Sequence, residues 1–209
     1  MNQPSLELLA RKLAAHLDCT RDVACQKIFQ VLAETGQPLA LKGVASRLQI
    51  SPESLAAHLA HTPDTEFDNE GKIIGWGITL VPTQHQFWVK GHALFTWCAF
   101  DTVLFPALLQ TEAQVRSTCQ TTGQPITFRA TPEGITDLAP ATSVVSLTLP
   151  SARCECVRET FCAQSHFFQA KDAAQPWIVL HPEAVLLSIE EAAALGQITA
   201  LMWPQQNNT

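Results

Sequence analysis

The sequence predicts an α+β fold: a helical N-terminal module, then a mostly antiparallel β-sheet domain with flanking helices. Three observations carry this. Up to residue 61, apolar residues recur at helical spacing between recognisable caps. From residue 72 onward, short β-rich runs alternate with turns that contain Gly and Pro. Near the end, Ser188-Ile189-Glu190-Glu191 forms a capping box that opens a last helix. Hydrophobic residues make up 46% of the 209 and charged residues 15%, which suffices for a sizeable core and argues against wholesale disorder.

Ser5 caps a first helix with Leu6, Leu9, Leu13 and Leu17 on one face. A second helix runs from about Arg21 to Glu34 and ends at Gly36. A short third helix covers Leu39 to Leu48. Ser51 caps a fourth, with Pro52 in its first position and Leu55 and Leu59 inward, running to His61. After the turn Glu66–Gly71, Lys72–Leu80 reads as a strand. This order of helices followed by a hairpin is winged-helix-like. Such modules commonly bind DNA, but the segment Pro52–His61 that would enter a groove carries no Lys or Arg. A DNA reader needs cations there, so a structural or lid role is expected instead.

Val81-Pro82-Thr83 marks the expected boundary between a module at 1–82 and an α+β domain at 83–209. Gln86–Lys90 is a short strand, and Gly91-His92 leads into an apolar run, Ala93 to Leu109, read as helical and bent near Phe105 by Pro106. Ala113–Cys119 and Pro125–Ala130 pair as a hairpin. Ser143–Leu149 is a strong strand. Thr160–Phe168 reads as a buried strand, with one more strand at Trp177–Leu180 or Val185–Ser188. The final helix spans Ile189 to about Met202.

The formal net charge is −6 and the 13 Lys and Arg are scattered, so no nucleic-acid surface is expected. The N-terminus lacks the pattern of a signal peptide, and no apolar stretch is long enough to span a bilayer. A cytoplasmic protein is the expectation, with no membrane partner. The seven cysteines, Cys19, Cys25, Cys98, Cys119, Cys154, Cys156 and Cys162, are odd in number, which disfavours a disulfide framework.

Three constellations could carry chemistry. Cys154, Cys156, Cys162 and His166 are zinc-ligand types, but Cys162 and His166 on one strand would stand about 13 Å apart. Cys98 could be a nucleophile with His92 or His166 as base, yet no oxyanion turn precedes it. The third is Cys98, Asp101 and Cys162. At i and i+3 of a helix, Cys98 and Asp101 share a face. Two thiolates suit a soft metal, and a nearby base could take up their protons. Trp97, Phe100, Phe161, Phe167 and Phe168 would wall such a site. The plainer reading makes Cys162 a core cysteine and Asp101 a surface acid.

Trp97-Cys98-Ala99-Phe100-Asp101, continued by Phe105-Pro106-Ala107-Leu108, resembles the first catalytic motif of alkylmercury (organomercurial) lyases. Phe161-Cys162 with His166-Phe167-Phe168 resembles the second. Thr65–Leu80 and Leu195-Gly196-Gln197 add further likeness, which covers most of residues 35 to 200. The resemblance implies Cys98, Asp101 and Cys162 as catalytic residues, and the same three as holders of the Hg(II) product. It implies protonolysis of a carbon–mercury bond to a hydrocarbon and Hg(II), as part of mercury detoxification. No organic cofactor is implied. Small external thiols act as co-reactants, and a mercuric reductase is the acceptor of Hg(II). Some members carry a further cysteine after the second catalytic one, where this chain has Ala163. Cys119 matches a structural cysteine, and His166 reads as a supporting or core residue. A rival reading is a non-enzymatic soft-metal sensor or winged-helix regulator, for which Asp101 has no obvious use; a copper-binding chaperone is a third.

Overall fold

The structure, a computed structural model, describes residues 5–16, 22–149 and 156–203. Four helices come first: α1 (Leu6–His16), α2 (Val23–Thr35), α3 (Leu41–Leu48) and α4 (Pro52–Leu59). Their ends follow the expected chemistry. Ser5 Oγ accepts the Leu8 N–H at 3.3 Å, and Ser51 Oγ accepts the Ser54 N–H at 3.1 Å. Asp22 caps α2, its side chain accepting the N–H groups of Ala24 and Cys25. Leu9 and Leu13 are buried as their spacing requires, while Leu17 and Arg21 lie outside the described residues.

Among the described residues eleven strands follow, with ranges β1 (Glu66–Phe67), β2 (Ile73–Trp76), β3 (Ile78–Thr79), β4 (Gln86–Val89), β5 (His92–Thr96), β6 (Ala113–Thr118), β7 (Pro125–Thr131), β8 (Gly134–Ala139), β9 (Val144–Leu147), β10 (Phe167–Phe168) and β11 (Val185–Ser188). The first eight form one sheet in the order β1-β2-β3-β5-β4-β6-β7-β8, and β9 pairs with β10 and β11 in a second. All these pairings are antiparallel. The fold is therefore α+β with a mostly antiparallel sheet. Helices α5 (Asp101–Leu109), α6 (Val157–Thr160), α7 (Lys171–Leu180) and α8 (Ile189–Met202) complete it. Helix α8 packs on α1 and α5 and starts with the capping box expected at Ser188 and Glu191. No helix among the described residues is long and apolar enough to cross a membrane.

Several expectations need correction. The run Ala93–Leu109 is not one helix. Its first part is strand β5, paired to β3 on one side and β4 on the other. The hairpin turn that forces this is Lys90-Gly91, both at positive φ (51° and 83°), which matches the twist of the flanking strands. Hydrogen bonding on two edges outweighs the helical preference of Ala93 and Leu94. The chain then turns at 97–100, and α5 runs unbroken through Pro106, where only one intrahelical bond is forfeited. Thr160–Phe168 is not a strand either. It holds the end of α6, a 3-10 turn at Cys162–Gln164, and only two β residues. Residues 177–180 are helical, leaving Val185–Ser188 as the extra strand. Strand β8 was not foreseen, because none of its residues is buried and they show no apolar alternation.

Candidate active site

Two turns meet beneath the large sheet. The first follows β5 and carries Cys98, with Asp101 as the first residue of α5. The second is the 3-10 turn that begins at Cys162. The Phe100 backbone at φ −66° and ψ −33° is already helical, so the i, i+3 proximity of Cys98 and Asp101 survives although the helix starts later than expected. The Cys98 N–H donates to Asp101 Oδ2 at 3.2 Å, and the Cys162 thiol donates to the same oxygen at 3.8 Å. Ligand atoms of Cys98, Asp101 and Cys162 all lie within 4.8 Å of one another. The three are 0%, 6% and 4% exposed.

Burial sets their proton affinities. Dehydration pushes the Asp101 carboxyl up to about 7, against hydrogen bonds from Cys98, Cys162 and the backbone that favour its anion. Burial likewise raises the Cys98 thiol. The Cys162 thiol is raised well above its ordinary value, by its hydrogen bond to Cys98 first, then by burial and by the nearby Asp101 charge. At neutral pH the site thus holds two thiols beside a carboxyl poised between its two forms. That is a group matched for carrying protons.

A small cavity of about 20 Å³ touches two of the three. Asp101 and Cys162 line it, with Trp76, Trp97, Phe161 and Trp203 among the walls, and Cys98 lies behind them. Of the aromatic residues singled out from sequence, Trp97 and Phe161 line this space. Phe100, Phe167 and Phe168 are core: Phe100 packs edge-on to Phe161, and Phe167 to Phe128. Trp76, Val157 and Trp203 escaped the sequence reading, because nothing in local spacing links them to Cys98.

An ionic rim flanks the walls. Glu66 accepts the Trp97 Nε1–H at 3.2 Å and pairs with the Arg158 guanidinium, which also lies over the Trp97 ring, 5.4 Å from its centroid. Glu66 fits because its β-partner is Gly75: a Cβ there would come within 1.8 Å of Glu66 Oε2. Beside it, Asp64 accepts the Val157 N–H at 2.7 Å, and burial pushes its carboxyl up.

The other candidates do not join this cluster. Of the four residues considered for zinc, Cys154 lies outside the described residues and Cys162 is committed to the trio. Cys156 sits half-buried at the start of α6. His92 is bonded to the Glu34 carbonyl at 2.9 Å. His166 packs against Trp177, ring centroids 4.4 Å apart, and burial lowers its proton affinity. Cys119 is buried at the end of β6. Burial raises its thiol, but hydrogen bonds from Thr122 and from nearby backbone outweigh this and leave a net lowering.

Residues 78–200 match the family profile of MerB, alkylmercury lyase. An alkylmercury lyase of Streptomyces lividans is 41% identical over 170 residues, 81% of this chain and 78% of that protein. One from Pseudomonas putida is 40% identical over 176 residues, 83% and 82% of the two chains. The chain belongs to the alkylmercury lyase family. It is thereby an enzyme of carbon–mercury bond cleavage, and the sensor and regulator readings are not favoured. An alkylmercury lyase of Bacillus cereus is 36% identical over 82% of this chain. The fold is also shared with the solved mercury-bound form of MerB2, at 22% identity and a TM-score of 0.75, over 95% of this chain and 98% of that one.

Proposed function

We propose that this lyase cleaves organomercurials by protonolysis, with Cys98, Asp101 and Cys162 as its catalytic residues. The observation that carries the proposal is the buried cluster of two thiols and a carboxyl, whose affinity for a proton lies at about 7. The substrate arrives as R–Hg bound to a small carrier thiol. Cys162, on the cavity wall, meets the mercury before Cys98 does. Its sulfur bonds the metal, and its proton leaves with the released carrier thiol. The Cys98 thiol then gives its proton to the Asp101 carboxylate, and the new thiolate bonds mercury. Two sulfurs push electron density onto the carbon, and protonated Asp101 delivers the proton there. The C–Hg bond breaks to R–H. Hg(II) is left on Cys98 and Cys162, with Asp101 regenerated as carboxylate and available as a third ligand.

External thiols then draw off Hg(II), and a mercuric reductase is its acceptor. No organic cofactor enters this scheme. We place the reaction in the cytoplasm, where small thiols and the reductase's reductant are available. We also read residues 1–82 as a winged-helix-like module that has exchanged DNA binding for a covering role over a catalytic domain at 83–209. Helix α4, which carries Glu53 and no Lys or Arg, supports this, as do the contacts of Asp64 and Glu66 with Val157, Arg158 and Trp97 beside the cavity. Headspace gas analysis with methylmercury and excess thiol tests the chemistry. Cys98→Ala, Asp101→Ala and Cys162→Ala each abolish methane release, and near-wild-type turnover in any one overturns the assignment.

A further inference from the structure

The two thiols sit on segments far apart in sequence, so something other than local geometry must hold them in register. Apart from contacts among the three reactive side chains, the hydrogen bonds that join the two turns among the described residues end on Ser165. Its carbonyl accepts the Ala99 N–H at 3.3 Å and its hydroxyl accepts the Phe100 N–H at 3.1 Å. Its own N–H donates to the Cys162 carbonyl at 3.1 Å. Ser165 is 1% exposed, so each of these bonds lies away from water. Phe100, at the start of α5, receives no cap from its own side chain, and Ser165 Oγ satisfies that buried N–H from across the site.

The neighbours of Ser165 face the other way. Its backbone is extended (φ −106°, ψ 106°), so successive residues point in opposite directions. Gln164 and His166 are fixed to β9 through Ser146, whose hydroxyl donates to the Gln164 carbonyl at 3.0 Å and accepts the His166 N–H at 3.1 Å. Ser146 thus anchors the loop to the small sheet, whereas Ser165 reaches from that anchored loop to the Cys98 turn.

We propose that Ser165 is a positioning residue that sets the separation and orientation of the Cys98 and Cys162 sulfurs. A two-coordinate soft cation takes its sulfurs on opposite sides, so the protein must fix their spacing before mercury arrives. Misplacement of a reacting group by about 1 Å can cost on the order of a hundredfold in rate. This rests on the reading of Cys98 and Cys162 as the mercury-binding pair. Its test therefore includes Hg(II) binding as well as turnover.

The informative variants are Ser165→Thr and Ser165→Val, equal in shape and different only in the acceptor oxygen, with Ser165→Ala beside them. Ser146→Ala is the control, since it loosens the same loop without touching the Cys98 turn. Each is assayed for methane release from methylmercury, for near-ultraviolet mercury–thiolate absorption after Hg(II) loading, and for retention of Hg(II) against a small dithiol. Ser165→Val and Ser165→Ala lose about ten- to a hundredfold in turnover, shift the absorption and surrender Hg(II) sooner. Ser165→Thr stays within a few-fold of wild type, and Ser146→Ala keeps its rate and spectrum despite a lower melting temperature. The proposal is overturned if Val matches Thr in all three readouts. Equal losses in Ser146→Ala and Ser165→Ala at equal melting temperature overturn it too. A wild-type protein that releases no methane would refute the lyase mechanism instead, a separate outcome.

Discussion

Asp101 lines the cavity and Glu66 is bonded to Trp97 in its wall, and the two carboxyl groups are built in opposite ways. Asp101 is buried, meets no cation among the described residues, and accepts from the Cys98 N–H and the Cys162 thiol. Glu66 faces the Arg158 guanidinium and the Trp97 indole at the rim. Dehydration without a counter-charge makes Asp101 a proton carrier near neutrality. A guanidinium beside Glu66 makes that group a bolt between the N-terminal strand β1 and the segment that carries α6. Residue type alone assigns neither role; what decides is whether folding supplies a cation.

The largest test of this contrast is Asp101→Asn. The amide keeps an oxygen for the Cys98 N–H but cannot carry a proton, so methane release falls by about a thousandfold or more. Stability moves the other way. The Asp101 carboxyl titrates at about 7 in the folded protein against an ordinary 3.8, so the folded state binds more protons between these values. Its stability therefore falls as pH rises from about 4 to about 7, and the full penalty stands above that. At about 1.4 kcal/mol per unit, three units set an upper bound of roughly 4 kcal/mol. Buried His85 and His166, whose proton affinities are lowered, stabilise the fold as pH rises over the same range, so urea unfolding at pH 5 and pH 8 reads the Asp101 loss as the difference between wild type and Asp101→Asn, which share both histidines. In the wild type kcat/KM also rises with pH through about 7, because the carboxylate form must receive the thiol proton. An Asn variant that turns over normally, or one whose stability follows the same pH course as the wild type, breaks the contrast.

How far the sequence revealed this site depended on the range of each interaction. Cys98 and Asp101 were legible because three residues separate them, and that spacing holds in a helical turn as well as in a helix. The expected helix itself failed because β5 is fixed by partners on both edges, which local spacing does not record. Cys162 was legible as a second thiol suited to a soft metal, and its motif strengthened that reading. Its strand assignment failed because Phe161, Cys162 and Ser165 are buried with the spacing of tight turns, not with a period of two. The caps at Ser51 and Ser188 were readable, since each acts within three residues. Ser165, Glu66, Arg158 and Trp203 were not, because every contact that gives them meaning crosses a long stretch of chain. Gly75 resembles any strand glycine until Glu66 is seen lying over it.

That glycine offers the next test. In Gly75→Ala the new Cβ would lie 1.8 Å from Glu66 Oε2 and 2.6 Å from Thr79 Oγ1, so the Glu66 carboxylate must leave its seat. It then loses Arg158 and Trp97 together. The expected cost is about 1–2 kcal/mol in chemical unfolding, with the pH dependence that stems from Asp101 unchanged. In a Glu66→Gln background the same substitution costs less than it does alone, because both changes strike one interaction. Strict additivity would show that Gly75 serves some purpose other than seating Glu66.

The smallest effect is expected from Glu66→Gln itself. Glutamine retains an oxygen for the Trp97 Nε1–H and gives up only the charge facing Arg158. That guanidinium side chain is 41% exposed, so water and salt already screen much of the attraction. Stability falls by less than about 1 kcal/mol at low ionic strength, and the difference from wild type shrinks as salt is added. Methane release stays within about twofold, because no proton passes through Glu66. The two carboxyl groups are thus expected to separate by kind of loss: removing the charge at Asp101 is expected to end the chemistry, while removing it at Glu66 is expected to leave only a salt-dependent weakening of the rim. A large rate loss in Glu66→Gln, undiminished by salt, would mean that the rim takes part in the reaction and that the division of labour drawn here is false.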